Sequence, residues 1–208
     1  MENLIDRYPA LQSCAEAIEG AVDLLADVYR VGGTLYICGN GGSAADAEHI
    51  SGELLKGFLL PRPLSIEDRE RLIQLSGEDG AILGNRLQSG LPAVPIGSLI
   101  SLSTAVANDI GAEFVFAQAA WGLAQKRDAL LAISTSGNSE NVVYAAVAAK
   151  AKGARVIALT GSGGGELRQY SDVSICVPET ETYKIQELHV PVYHYICAAL
   201  ERRFFESC

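Results

Sequence analysis

The chain has 208 residues, of which 49% are apolar and 20% are charged, which is typical of one globular domain. The formal net charge is −9 and lysines and arginines form no cluster, so we expect no nucleic-acid partner, which would need a basic surface. No apolar run reaches the ~18 residues of a membrane-spanning helix, and the first residues lack the features of a signal peptide. A small anionic ligand is still compatible with this charge, because backbone N–H groups at a helix N-terminus can bind phosphate.

The cysteines indicate a reducing compartment. An odd and dispersed set of this kind is not typical of a disulfide framework. The five are Cys14, Cys38, Cys176, Cys197 and Cys208. We therefore expect a cytoplasmic protein that does not associate with membranes.

The first part of the chain predicts a helix, a strand and a second helix. Apolar residues recur at helical spacing over residues 9–30, and Gly32-Gly33 ends that helix. A short apolar strand over 35–38 then runs through a glycine-rich turn into a helix from Ala44 to about Phe58. This order is typical of one unit of an α/β fold.

The second half repeats the alternation. Apolar runs predict strands over residues 128–133, 155–160 and 173–177. An alanine-rich helix through Lys152 follows the first of them, and a long helix over 181–205 closes the chain. Alternating strands and helices indicate a parallel sheet covered on both faces. We therefore predict a three-layer αβα sandwich with an N-terminal helix and a long C-terminal helix.

Residues 61–90 differ in character from the rest. They are charged, interrupted by glycines and only weakly periodic, which predicts one or two short helices. We interpret them as an insertion within a single domain that spans residues 1–208.

A loop rich in hydroxyl groups follows the predicted strand over 128–133. Its hydroxyl side chains belong to Ser134, Thr135, Ser136 and Ser139. Ligands of open parallel sheets bind outside the carboxyl ends of the strands, and hydroxyls with N–H groups at a helix start can donate to phosphate oxygens. Ordinary N-capping is the alternative. Four hydroxyls exceed what a cap needs, so the loop favours phosphate binding.

The earlier glycine turn is not a dinucleotide fingerprint. That motif needs GxGxxG with an acidic residue about twenty positions later. The segment Gly39-Asn40-Gly41-Gly42-Ser43-Ala44 lacks the third glycine. A Rossmann-type site is therefore not expected here.

Titratable residues on two predicted helices form a candidate reaction site. His49 and Glu53 are four residues apart and share one helix face. Gln186, His189 and His194 lie on the last helix. Together they could form a proton-transfer pair, a metal site or both. The alternative is a solvated contact between His49 and Glu53 with no function.

The two histidines of the last helix do not point the same way. A spacing of five residues puts them ~140° apart on a regular helix. Pro191 lies between them and removes a backbone donor, so a kink could change this angle. Helical spacing slightly favours His189 as the neighbour of Gln186, without choosing between His189 and His194.

Several motifs in one order resemble a known family, the phosphoheptose isomerases of the sugar isomerase (SIS) domain family. They are Cys38 to Ser43 with Asp46, His49 and Glu53, then Asn108-Asp109, then Ser134 to Ser139, then Gln186 to His189 with His194. The resemblance covers nearly the whole chain apart from residues 61–90. It implies a flavodoxin-like SIS domain and an aldose–ketose isomerase that converts sedoheptulose 7-phosphate to D-glycero-D-manno-heptose 7-phosphate in heptose precursor biosynthesis.

The resemblance also implies roles for particular residues. Glu53 matches the family's catalytic base and His194 its catalytic acid. The residues that match its zinc ligands are His49, Glu53, Gln186 and His194. Those that match its substrate contacts are Asn40, Gly41, Gly42, Glu53, Asn108, Asp109, Ser134, Thr135, Ser136, Ser139 and Gln186. The family assembles as a homotetramer whose active sites are shared between subunits.

The implied chemistry suits these residue types. Isomerisation through an enediol needs a base that moves a proton between neighbouring carbons and an acid or metal that polarises the carbonyl. A carboxylate bound to zinc is a poorer base, so the two roles of Glu53 conflict.

Two departures concern the sugar site. The chain has Lys56-Gly57 where many members carry an arginine, and residues 61–90 exceed the family's usual connection. Another ketose phosphate is therefore an alternative substrate. A non-catalytic scaffold that binds the bacterial replication initiator is an alternative function, against which the retained base, acid and metal set counts.

Overall fold

A computed structural model describes residues 2–206 and places five parallel strands in one sheet. The strands are β1 (Leu35–Cys38), β2 (Ala93–Pro95), β3 (Ala129–Ile133), β4 (Arg155–Thr160) and β5 (Val173–Cys176). Their order across the sheet is β2-β1-β3-β4-β5. This is the flavodoxin-like order, in which the chain reverses direction across the sheet between β1 and β3.

Eight helices surround the sheet in the described part of the chain. They are α1 (Glu2–Arg7), α2 (Ala15–Arg30), α3 (Gly42–Leu55), α4 (Ile66–Arg86), α5 (Ile100–Asp109), α6 (Val115–Leu123), α7 (Glu140–Ala151) and α8 (Thr182–Phe205). None of those within residues 2–206 is both long and apolar enough to cross a bilayer.

Two apolar cores lie on opposite faces of the sheet. On one face, side chains of α2, α3 and α8 pack against alternate strand residues such as Ile37 and Leu131. On the other, α6 and α7 pack against the intervening residues such as Tyr36 and Leu130. Strand side chains alternate between faces, which is why consecutive residues join different cores. The predicted three-layer αβα sandwich is confirmed.

Several element bounds agree with the sequence and others differ, such as the end of α3, which lies at Leu55 and not at about Phe58. The predicted strands over 35–38 and 155–160 match β1 and β4, and α8 begins one residue after the expected start. The predicted helix over 9–30 instead starts as a 3-10 turn, Pro9–Cys14, before α2. Strand β2 was not predicted, because its three residues include a proline and pair only with β1 at the sheet edge.

Helix α4 consists of two arms that fold back on each other. Ser76 and Gly77 leave helical geometry, and Gly77 has a φ of +53°. A Cβ at Gly80 would lie 1.9 Å from the carbonyl oxygen of Leu72, so the arms cross too closely for a side chain there. The prediction of one or two short helices is confirmed. The apolar residues Ile66 and Leu75 of α4 are exposed.

Candidate active site

Two loops meet where β1 and β3 end. The first, Gly39-Asn40-Gly41, leads into α3, and the second, residues 134–139, leads into α7. The side-chain amides of Asn40 and Asn141 donate to each other's oxygen at 2.9 Å in both directions, which ties the first loop to the start of α7. This junction lies at the switch point of the sheet, where open α/β folds bind ligands.

The N-cap residue of the hydroxyl-rich loop does not cap α7 through its side chain. Ser139 is the N-cap residue of α7, but its side chain makes no capping hydrogen bond. Its Oγ instead lies 2.9 Å from the Oγ of the buried Ser134. Within the described residues, the backbone N–H groups of Thr135, Ser136 and Ser139 make no hydrogen bond. The capping alternative therefore loses its main support.

A second glycine-rich turn, residues 161–165, packs directly against this loop. Gly137 has a φ of +68°, and a Cβ there would lie 2.1 Å from the carbonyl oxygen of Gly164. The carbonyl of Gly137 accepts from the N–H of Leu167 at 3.0 Å. Only glycine fits this backbone, because a side chain would collide with the neighbouring turn.

Helices α3 and α8 bring two histidines and a carboxylate together. Nε2 of His49 lies 3.2 Å from Oε1 of Glu53 on the same face of α3. The ring of His194, on α8, stands edge-on to that of His49 with centroids 5.0 Å apart. The second oxygen of Glu53, Oε2, is buried and has no hydrogen-bond partner in the part of the chain that is described. A buried carboxylate oxygen without a partner is available to a proton, a substrate or a cation.

His189 lies outside this cluster. It is fully buried, and neither ring nitrogen makes a hydrogen bond within residues 2–206. Burial lowers its pKa to about 4, with the carbonyl of Thr160 opposing the shift. The face of α8 that carries His189 packs into the core, whereas His194 faces α3. The structure therefore brings His194, and not the His189 that helical spacing slightly favoured, next to His49.

Tyr193 and Asp46 add a connection that the sequence did not predict. The hydroxyl of Tyr193 lies 3.1 Å from Nδ1 of His49 and also interacts with the carboxylate of Asp46. Burial and the negative charge of Asp46 both raise the pKa of Tyr193. Burial also raises the pKa of Asp46, against the effects of Tyr193 and His49. Asp46 precedes His49 by three residues on α3, which was the only available signal.

This connection orients the His49 ring. With the tyrosine proton donated to Asp46, the hydroxyl oxygen accepts Nδ1–H of His49 and leaves the lone pair of Nε2 facing Glu53. Nε2 of His49 and Oε1 of Glu53 then direct lone pairs at each other across 3.2 Å. This arrangement suits a proton or a cation between the two atoms.

Gln186 packs against the glycine turn at the start of α3, on one side of an open cleft. A Cβ at Gly42 would lie 2.5 Å from its Nε2, so the amide packs directly on the backbone at the start of α3. Gly42, Asp46 and Gln186 line one open cleft together with Tyr183, Glu187 and Val190. Asn108 and Asp109 do not reach this cleft through any hydrogen bond in the described chain. They lie exposed at the end of α5, where the amide of Asn108 donates to Asp109 at 2.7 Å.

Comparison with known proteins identifies the family. A family model described as the SIS domain matches residues 2–68 and 84–161. The chain belongs to the SIS domain family. The phosphoheptose isomerase of Akkermansia muciniphila is 35% identical over 202 residues, which cover 97% of this chain and 93% of that protein.

Solved structures agree with this family. Phosphoheptose isomerase GmhA from Neisseria gonorrhoeae is 32% identical with a TM-score of 0.73, covering 96% of this chain and 93% of its own. A phosphoheptose isomerase from Francisella tularensis is 29% identical with a TM-score of 0.77, covering 97% and 94%. These relatives place the chain among the phosphoheptose isomerases of the SIS domain family. The phosphoheptose isomerases are isomerase enzymes.

The departure at Lys56-Gly57 does not supply a cation to the cluster. Lys56 is exposed and its Nζ donates to the carbonyl of Gly57 at 3.2 Å. The two ranges of the SIS domain match leave out residues 69–83, which lie within α4.

Proposed function

We propose that this member of the SIS domain family, a sugar-phosphate isomerase, interconverts sedoheptulose 7-phosphate and D-glycero-D-manno-heptose 7-phosphate through an enediol. The observation that carries the proposal is the contact of His194 with the ring of His49, whose Nε2 lies 3.2 Å from Oε1 of Glu53. The names of the relatives support the substrate, since both solved relatives and the Akkermansia protein are phosphoheptose isomerases.

The serine loop binds the phosphate in this proposal. The hydroxyls of Ser134 and Ser139 and the N–H groups at the start of α7 donate to phosphate oxygens. The dipole of α7 contributes ~0.3–1 kcal/mol for an anion at its N-terminus. No net positive charge is required, which is consistent with a chain of net charge −9.

Glu53 moves the proton between the two carbons. Its carboxylate takes a proton from C1 of the open-chain ketose while the carbonyl oxygen on C2 gains one, which gives the enediol. The proton on Glu53 exchanges with solvent, and a proton is then delivered to C2 while the C1 hydroxyl loses its own, which gives the aldose. The unpartnered Oε2 of Glu53 supports this role. A positioned base typically contributes ~10²–10⁴-fold to the rate.

His194 transfers protons at the two substrate oxygens, the carbonyl oxygen on C2 and the hydroxyl on C1. Burial lowers its pKa below the ordinary value, the neighbouring His49 lowers it further, and Glu53 opposes both. A neutral imidazole at neutral pH can still polarise a carbonyl by donating a hydrogen bond. His194 therefore donates its N–H to the carbonyl oxygen and passes the proton between the two oxygens.

Zinc is proposed as a cofactor, because the donor types fit it. Imidazole nitrogens and a carboxylate are usual zinc ligands, and Nε2 of His49 and Oε1 of Glu53 face each other at 3.2 Å, which leaves Oε2 for the base. In the described residues, no three His, Cys, Asp or Glu side chains already form a metal site. The residues that would hold the ion are His49, Glu53 and His194, whereas the amide of Gln186, the fourth residue that the resemblance implies, lies against Gly42. A bound zinc would polarise the carbonyl as a Lewis acid.

We also propose that the protein is a homotetramer in the cytoplasm. Exposed apolar side chains support subunit contacts, since such surfaces usually mark interfaces. Examples are Ile66 and Leu75 of α4 and Ile100 of α5. Native mass spectrometry of the purified protein tests the subunit number.

The test is a direct assay of purified protein with sedoheptulose 7-phosphate, with and without added zinc. We expect the aldose product from the wild type, and loss of turnover by ~10²–10⁴-fold in Glu53→Gln and in His194→Gln. Lys150→Gln is the control, because Lys150 pairs with Asp172 at the far end of α7. No turnover under either condition would exclude this substrate and favour another ketose phosphate or the scaffold function.

A further inference from the structure

A buried ion pair joins the helix of the base to the helix of the acid. Nε of Arg62 donates to Oε1 of Glu201 at 2.7 Å, and both side chains are 0% exposed. Arg62 follows α3 in the chain, and Glu201 lies on α8. The two residues are 139 positions apart in sequence.

Arg62 caps the last turn of α3, which contains the proposed base Glu53. Its Nη1 donates to the carbonyl of Leu54 at 2.7 Å, and its Nη2 donates to the carbonyl of Glu53 at 3.2 Å. These carbonyls belong to the last turn of α3, whose acceptors have no partner within a helix. The guanidinium also lies 4.7 Å above the ring of Phe205. Arg62 therefore fixes the backbone of the proposed base itself.

Glu201 organises the segment that follows α3. Its two oxygens accept from the N–H groups of Phe58, Leu59 and Leu60 at 2.7, 2.7 and 3.0 Å. Burial by itself would raise the pKa of Glu201, but these N–H groups and Arg62 outweigh it and keep the pKa below its ordinary value. Glu201 stands seven residues after His194, on the same face of α8.

Stability alone does not explain this pair. A buried ion pair often contributes no more than apolar residues of the same volume, because removing two charges from water offsets their attraction. Directional hydrogen bonds to five backbone groups on one segment do set its position, which apolar residues cannot do.

We propose that Arg62 and Glu201 are positioning residues that hold Glu53 in place beside His49, the residue whose ring His194 contacts. The proposal rests on the proposed isomerase function. Neither residue touches the substrate, since both are buried. Loss of the pair should lower kcat by roughly 10–100-fold, because small misplacements of a reacting group have effects of that size, and should change KM little.

The experiment compares Glu201→Gln with the double variant Arg62→Met/Glu201→Leu and with Asp128→Ala. The double variant removes the charges together and should recover most of the melting temperature that Glu201→Gln loses. Asp128 is the matched control, because it is buried at the start of β3 and accepts from the N–H groups of Thr34 and Gln125 rather than from the segment that follows α3. Asp128→Ala should lose stability without losing kcat.

The outcomes separate positioning from stability. We expect kcat to stay low in the double variant even where its melting temperature recovers. Recovery of kcat together with the melting temperature would overturn the proposal. Hydrogen exchange of residues 49–60 gives a second readout that needs no substrate. It should rise in Glu201→Gln and not in Asp128→Ala, and equal exchange in both would also overturn the proposal. A wild type without turnover refutes the proposed function instead, and the exchange result still decides whether the pair holds this segment.

Discussion

The hydroxyl of Tyr193 lies 3.1 Å from Nδ1 of His49 and so connects α8 to the imidazole that contacts Glu53. His194, the next residue on α8, contacts the same imidazole ring. Two consecutive residues of one helix thus reach His49 from different sides. The orientation of His49 therefore depends on α8 as well as on its own helix.

Removing that hydroxyl should disturb His49 without removing it. We expect Tyr193→Phe to lower kcat/KM and zinc affinity by roughly 10–100-fold, as is typical when an outer partner of a metal-binding histidine is lost. Steady-state kinetics and zinc titration by calorimetry measure the two effects. Tyr195→Phe is the control, because its hydroxyl donates to Glu19 and not to His49. Equal losses in both variants would contradict the role of Tyr193.

Loss of a serine hydroxyl should weaken phosphate binding selectively. We expect Ser139→Ala to raise KM for the sugar phosphate by roughly 10-fold, since a hydrogen bond to a charged group contributes about 1.5–3 kcal/mol. The value of kcat should change little. Competitive inhibition by inorganic phosphate should weaken in parallel. Unchanged inhibition in Ser139→Ala would show that phosphate binds elsewhere.

A methyl group at Gly42 should displace Gln186. The added Cβ would lie 2.5 Å from Nε2 of Gln186, which is the flexible end of a side chain, so we expect Gly42→Ala to fold normally. Substrate affinity should fall, as it should in Gln186→Ala. If the two substitutions act through the same contact, the double variant will be no worse than either alone. Additive losses would contradict this explanation.

His189 should make the protein less stable in mild acid. Its pKa in the folded protein is about 4 against an ordinary value of 6.5. The unfolded chain therefore binds a proton at a higher pH than the folded protein does, and stability falls as the pH drops from 6.5 towards 4. The full effect is about 3 kcal/mol, at ~1.4 kcal/mol for each pKa unit. Urea denaturation of His189→Leu across this range should show a flatter decline than that of the wild type, and parallel curves would contradict the shift.

Much of the fold could be predicted because local patterns and tertiary packing agree. Apolar runs located β1, β3, β4 and β5, and the first three of these strands end in glycine or serine loops. Strand β2 escaped, because three residues ending in a proline carry no local strand signal. The two arms of α4 depend on the close approach at Gly80, which spacing along the chain does not reveal.

The site was predictable only where its residues share an element or a resemblance. The spacing of His49 and Glu53 on one helix predicted their contact. Helical spacing could not say which face of α8 packs on the sheet, and so it preferred His189. The ion pair of Arg62 with Glu201 could not be predicted from local spacing, because two residues so distant in sequence meet only through the packing of α3 and α8.

The central claim is that Glu53 transfers a proton through an enediol, and the reaction in deuterated water tests it most directly. We expect the aldose formed from sedoheptulose 7-phosphate to carry solvent deuterium at C2, seen by NMR and mass spectrometry. Glu53→Gln should lose both turnover and deuterium incorporation, while Lys150→Gln should keep both. Product formed by the wild type without deuterium at C2, or incorporation at the wild-type rate in Glu53→Gln, would contradict the account.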